Sequence, residues 1–66
     1  MDINVIKKYI NIEIDLFLDN KFKYSGHILE IFENSIIFLD KFNNSIAIDI
    51  DTISIINPIK KNKGDF

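Results

Sequence analysis

Apolar and polar residues alternate along most of this chain. Ile10, Ile12, Ile14, Leu16 and Leu18 take every second position, with Asn11, Glu13, Asp15 and Phe17 between them. Five period-2 matches, three of them β-branched, predict a half-buried strand over 10–18. The polar break Asp19-Asn20-Lys21 follows. Asn accepts a positive φ, so a hairpin turn is expected there. The next alternating run, 22–32, changes its apolar face near Ile28–Ile31. A bent strand shared between two halves of a small barrel requires such a switch. Gly26 sits just before it, where the missing Cβ permits a sharp bend.

Glu33-Asn34-Ser35 reads as a second turn. A third strand over 36–42 carries Ile36, Phe38 and Phe42 on one side and Ile37 and Leu39 on the other, which predicts burial on both faces. Asn43-Asn44 supplies the next turn. A fourth strand over 45–50 alternates Ile46, Ile48 and Ile50 with Ala47 and Asp49. A fifth, over 52–57, carries Ile53, Ile55 and Ile56, and Pro58, lacking an N–H, is expected to end it. Ahead of the strands, Asp2 is placed to cap a short helix over about 2–9, with Ile3, Ile6 and Ile10 along one side.

This order predicts a mostly β fold: a small, strongly bent, five-stranded antiparallel barrel with a short N-terminal helix. Left open, such a sheet exposes two Ile-rich edges, an aggregation hazard. Closure of the barrel and pairing of edge strands between copies remove them, and a head-to-tail contact of that kind closes into a ring.

Size and composition point the same way. At 66 residues the chain buries only ~60% of the surface its unfolded form exposes, so a lone core is marginal. Cys is absent and His27 is the single His, which removes disulfides, thiolate metal sites and any multi-histidine site within one chain. Oligomerisation is the remaining support. The 47% hydrophobic content argues against disorder. No apolar run approaches the ~20 residues of a membrane span, and the N-terminal residues do not resemble a signal peptide, so a soluble, cytoplasmic protein is expected. The 16 Ile and 8 Asn, with Lys as every basic residue and no Arg, look like the imprint of an AT-rich genome. Ile abundance alone is therefore uninformative. A net charge of −2 argues against a general polyanion-coating role. Residues 59–66, with Lys60, Lys61 and Lys63, are expected to form a flexible tail beyond a domain spanning 1–58.

The run IEIDLFLDNKFKYSGHILEIF…IIFLD followed by ISIINP resembles the Sm/LSm superfamily, and its spacing is most similar to the Hfq branch of bacteria and archaea. The first motif is carried by Ile12, Ile14, Leu16 and Leu18, the turn at Asn20, then Phe22, Lys23, Tyr24 and Gly26. The second is carried by Ile53, Ser54, Ile56 and Pro58. The resemblance implies an Sm-like ring of six or seven subunits that binds single-stranded RNA as a chaperone or scaffold, with no catalysis and no cofactor. It places Phe17, Asn20 and Lys23 on a distal-like RNA-binding face that takes A- or purine-rich strands. It places Glu33-Asn34 and Ile50-Asp51 at the pore-like loops. There the family's Gln-aromatic and Lys-His pairs are replaced, and an acid where a phosphate-contacting cation belongs repels RNA. A ring that has lost RNA binding and serves as a protein-interaction scaffold is the alternative.

Other chemistry is sparse. Glu13, Asp15, Asp19, Asp49 and Asp51 read as solvated strand faces, because acid–base catalysis needs perturbed carboxylates in a concave pocket. His27 reads as a surface residue on a strand flank, although a ring would bring its copies round one axis. Phe17 interrupts a polar face between Asp15 and Asp19. It is there either to stack a base or to pack against the N-terminal helix or a neighbouring subunit. Lys7, Lys8, Lys60, Lys61 and Lys63 suit phosphate contacts and plain solvation equally, and a ring would multiply them into a belt.

Overall fold

The computed structural model describes residues 1–59; the expected tail over 60–66 lies outside the described residues. Asp2 caps the first helix, α1 (Ile3–Ile6), its carboxylate accepting the Asn4 amide at 3.0 Å. The helix tightens to a 3-10 turn at Lys7–Tyr9 and buries Ile6 completely. No helix of the described residues is long and apolar enough to cross a membrane.

Five antiparallel strands follow: β1 (Ile14–Leu18), β2 (Lys23–Ile31), β3 (Ser35–Asp40), β4 (Ser45–Asp49) and β5 (Ile53–Pro58). They form one sheet in the order β4-β3-β2-β1-β5. The outermost strands β4 and β5 are joined only by a 3-10 turn, Ile50–Thr52. In a flat sheet four strand spacings would separate them by ~19 Å. The connection spans at most ~14 Å even when extended. The sheet therefore has to roll up, which makes it barrel-like while leaving the ladder edges of β4 and β5 unpaired within the chain.

The rolling is built into β2. Its register with β3 runs Ile28↔Phe38 and then Glu30↔Ile37, leaving Leu29 as a bulge. One extra residue reverses the alternation, so Ile28 is buried and Ile31, three positions on, also packs against the core. This is the physical form of the face switch expected from the sequence. Gly26 permits the other half of the bend. A Cβ there would overlap the Leu39 carbonyl oxygen and stand 2.8 Å from the Asp40 Cα. The buried interior is wholly apolar: Ile6, Ile14, Leu16, Ile28, Ile36, Phe38, Ile48, Ile50 and Ile53. Tyr24 packs its ring at 6.5 Å from that of Phe38.

Several boundaries differ from the sequence pattern. The first strand begins at Ile14 and not at Ile10. Asn11 takes a φ of 62°, which breaks the extended chain. Ile10 forms an isolated bridge to Ile28, and Ile12 stays exposed. In the first hairpin the positive φ falls on Lys21 (72°), not on Asn20. Phe42 is not on the face of β3, because Asp40 ends that strand and 41–44 form the turn. β5 does end at Pro58, but with Pro58 as its last residue and not the first beyond it. Pro58 pairs with Ile14 on an edge strand, where a missing N–H is tolerated, and the Ile59 amide still donates to the Glu13 carbonyl at 3.0 Å.

Gly26→Ala tests the bend. A methyl group forced against the Leu39 carbonyl is expected to cost ~1–3 kcal/mol. In a domain of this size each kcal/mol lowers Tm by ~4–8 °C. A variant that melts with the wild type in a circular dichroism scan would show that β2 and β3 do not approach this closely.

Candidate nucleic-acid interface

The β1–β2 hairpin decides which side chains share the outer face. Its turn is closed by the Leu18 amide on the Phe22 carbonyl (2.9 Å) and the Lys21 amide on the Leu18 carbonyl (2.9 Å). That register sets Phe17 opposite Lys23 and Asp15 opposite Ser25. On its other side Phe17 is opposite Ile55 of β5, which is 54% exposed. Phe17 is half-buried, and Lys23 Nζ lies 5.8 Å from its ring centroid, within the range of a cation–π contact. Asp15 shares the same cation at 3.9 Å and accepts a hydrogen bond from Ser25 Oγ at 2.6 Å. With Lys23 about half exposed, that ion pair is weak and easily exchanged for another anion.

Asn20 has a structural task in the turn. Its side-chain oxygen accepts the Phe22 amide at 3.1 Å and so braces the turn. It lines a separate cleft of about 310 Å³ with Leu18, Tyr24, Ile46 and Thr52. Phe17 and Lys23 are thus brought together, and Asn20 lies in the turn beside them. At the tip of the hairpin the Asp19 carboxylate accepts from Ser54 Oγ at 2.6 Å, where a bulge in β5 leaves Ser54 outside the β1 register.

The four pore-like positions do converge. The Ile50 amide donates to the Asn34 carbonyl at 3.0 Å, tying the β2–β3 turn to the 3-10 turn after β4. Glu33, Asn34 and Asp51 are exposed. The Ile50 side chain is buried in the core, and the residue's carbonyl accepts from the Met1 ammonium at 3.2 Å and from the Ile53 amide. Neither its side chain nor its engaged backbone presents a contact to a ligand, a correction to its reading as a site residue. The exposed side-chain charges of the loop pair, Glu33 and Asp51, are acidic, while the Met1 ammonium donates to the Ile50 carbonyl. His27 is half-buried beside Leu39, in a hollow shared with Asn11, Glu13 and Lys41. Among the described residues no three His, Cys, Asp or Glu side chains are grouped to hold a metal ion.

A second cation–aromatic pair was not singled out by the sequence pattern. Lys41 Nζ lies 5.8 Å from the Phe42 ring, and Phe42 is 73% exposed. The turn that holds it is anchored on Asp40, whose carboxylate accepts the Asn44 amide (2.8 Å), the Phe42 amide (2.9 Å) and the Asn44 side-chain amide (3.4 Å). The Asn44 backbone bond is the main reason the Asp40 carboxyl titrates below its ordinary value of 3.8; partial desolvation opposes it, and the other two bonds add to it. The available signal in the sequence was a Lys-Phe pair beside Asn-Asn, which marks a turn with a large aromatic on it.

No family model and no curated protein matches the sequence. Among solved structures the chain is similar to the 1.55 Å crystal structure of the pleiotropic translational regulator Hfq, with a TM-score of 0.71 and 18% identity, covering 82% of this chain and 92% of that one. The chain has the Sm-like fold of Hfq, as the two motifs of the sequence implied.

The Asp40 anchor has a defined pH dependence. Its carboxyl is depressed in the folded state, so its stabilisation is complete above the ordinary carboxyl value of 3.8 and is lost as pH falls through the lower folded value. Asp40→Ala should therefore melt below wild type at pH 7, and the gap should narrow below about pH 3.8. A gap that stays constant down to pH 2 in thermal melts would show that the anionic carboxylate does not hold this turn.

Proposed function

We propose that the protein is a cytoplasmic, non-catalytic, Sm-like ring protein that binds single-stranded RNA as a chaperone or scaffold. Strands rich in A or purines would lie on the face built by Phe17 and Lys23. One observation carries this reading: Lys23 sits over Phe17 on paired strands of the outer face. An aromatic plane for a base beside a cation for the adjoining phosphate is the minimal unit of sequence-tolerant single-strand binding, worth ~1–3 kcal/mol per stacked base. The fold shared with a translational regulator supports it. Asp15 competes for the same cation and lowers the expected affinity.

The loops joined through Ile50 and Asn34 support a negative expectation. The bond between Ile50 and Asn34 brings Glu33 and Asp51 onto adjoining loops, and a ring would repeat that acid around its axis. U-rich strands that need cations at those positions should bind poorly. Fluorescence anisotropy with oligo-A and oligo-U at two salt concentrations tests both expectations. Salt-sensitive oligo-A binding that is lost in Phe17→Ala is expected, with little binding of oligo-U. If an intact ring binds neither oligomer at low salt, the reading gives way to a protein-interaction scaffold.

The two ladder edges left by the rolled sheet support the ring reading. The β4 edge of one copy and the β5 edge of the next are suited to pair head to tail, and such contacts close when the rotation permits. Light scattering should give six or seven times the 7.7 kDa chain mass. Ile55→Lys places a charge on β5 without touching the core and should yield smaller, still folded species. A wild-type mass of one chain at micromolar concentration would overturn the ring.

A further inference from the structure

We infer that Lys41 and Phe42 form a second nucleotide subsite, adjoining the Phe17–Lys23 site, so that each subunit holds two stacked bases of a single strand. The inference rests on the RNA-binding reading and extends it to residues outside both Sm motifs. Three observations carry it. The geometry of the first site is repeated, with a lysine ammonium 5.8 Å from an aromatic centroid in each. The two sites adjoin one another. The Lys41 amide donates to the Ser25 carbonyl at 3.0 Å, and Lys23, Ser25, Lys41 and Phe42 line one cleft of about 210 Å³. That is below the ~300–1,000 Å³ of pockets that enclose a small-molecule ligand, and it suits one flat group.

The third observation is the way Phe42 is presented. An exposed aromatic on a loose loop can fold back onto the surface. This one is fixed in a turn by the Asp40 carboxylate and by the Asn43 amide on the Asp40 carbonyl at 3.0 Å. Asn43 takes a φ of 68° to complete the turn. The ring therefore remains 73% exposed by construction, ready to receive a base without further loss of backbone entropy. The oxygens of the neighbouring acid, Asp40, are engaged by the turn's own amides. Lys23 is shared with Asp15 at 3.9 Å, whereas the acid next to Lys41 is held by its own turn. Lys41 is thus the better phosphate ligand of the two.

Two exposed substitutions and one probe test this. Against oligo-A, Phe42→Ala should weaken binding roughly 5-fold to 100-fold, the equivalent of one lost base stack. Lys41→Gln should flatten the slope of log K against log salt by ~0.7 for each phosphate contact removed. Because the chain has no Trp, Phe42→Trp introduces a single indole whose fluorescence should be quenched when oligo-A binds. Circular dichroism melts at the wild-type temperature would exclude unfolding as the cause of any loss. If wild type binds oligo-A while both variants match it and the indole is silent, the second subsite is wrong and the Phe17 site stands alone. If wild type binds no oligonucleotide, both fall together.

Discussion

The close passage of β3 across Gly26 of β2 is the contact on which the rest of this small fold depends. A side chain there would meet the Leu39 carbonyl and the Asp40 backbone, and the two strands would have to separate. With the glycine in place β2 bends, and the Leu29 bulge turns its far half over, so that Ile28 and Ile31 both face inward. The bend lets a three-residue turn connect the outermost strands β4 and β5. It also fixes where the β3–β4 turn comes to rest, since Lys41 is bonded to Ser25, next to Gly26.

A chain of this length has few apolar residues to spend, and it places the interior ones with no buried polar side chain among them. What is left outside is unevenly distributed. One outer surface carries two lysines, each over an aromatic ring. The loops joined through Ile50 and Asn34 expose acids. The net charge of −2 is therefore an average over unlike patches. Asp15 and Asp40 show how proximity misleads. Asp15 competes for Lys23, whereas Asp40 is consumed by its own turn and leaves Lys41 available.

Much of this was legible in the sequence because it is local. Period-2 alternation sets the inner and outer faces of β1, and with them the exposure of Phe17. Asp2 caps the first turn through a bond only two residues long. Gly26 at a change of apolar face announces a bend, and the polar break after Leu18 announces the hairpin that brings Phe17 to Lys23. The spacing of the two motifs carried the Sm-like fold.

The tertiary structure alone decided what depends on partners distant in sequence. Alternation puts Ile50 on the same inner side as Ile48, and both are buried. Only the bond to Asn34 and the 3-10 turn after Asp49 show that β4 has ended there and that Ile50 joins two loops. Phe42 continues the pattern of Ile36 and Phe38, but Asp40 terminates the strand by binding Asn44 and so sends Phe42 into solvent. Ile10 and Ile12 fit the strand as well as Ile14 does, until Asn11 adopts a left-handed conformation and Ile10 bridges to Ile28 instead. In each case the pattern records the side on which a residue would lie if the strand continued. Whether it continues is settled by hydrogen bonds to other segments, and no periodicity within the strand encodes those.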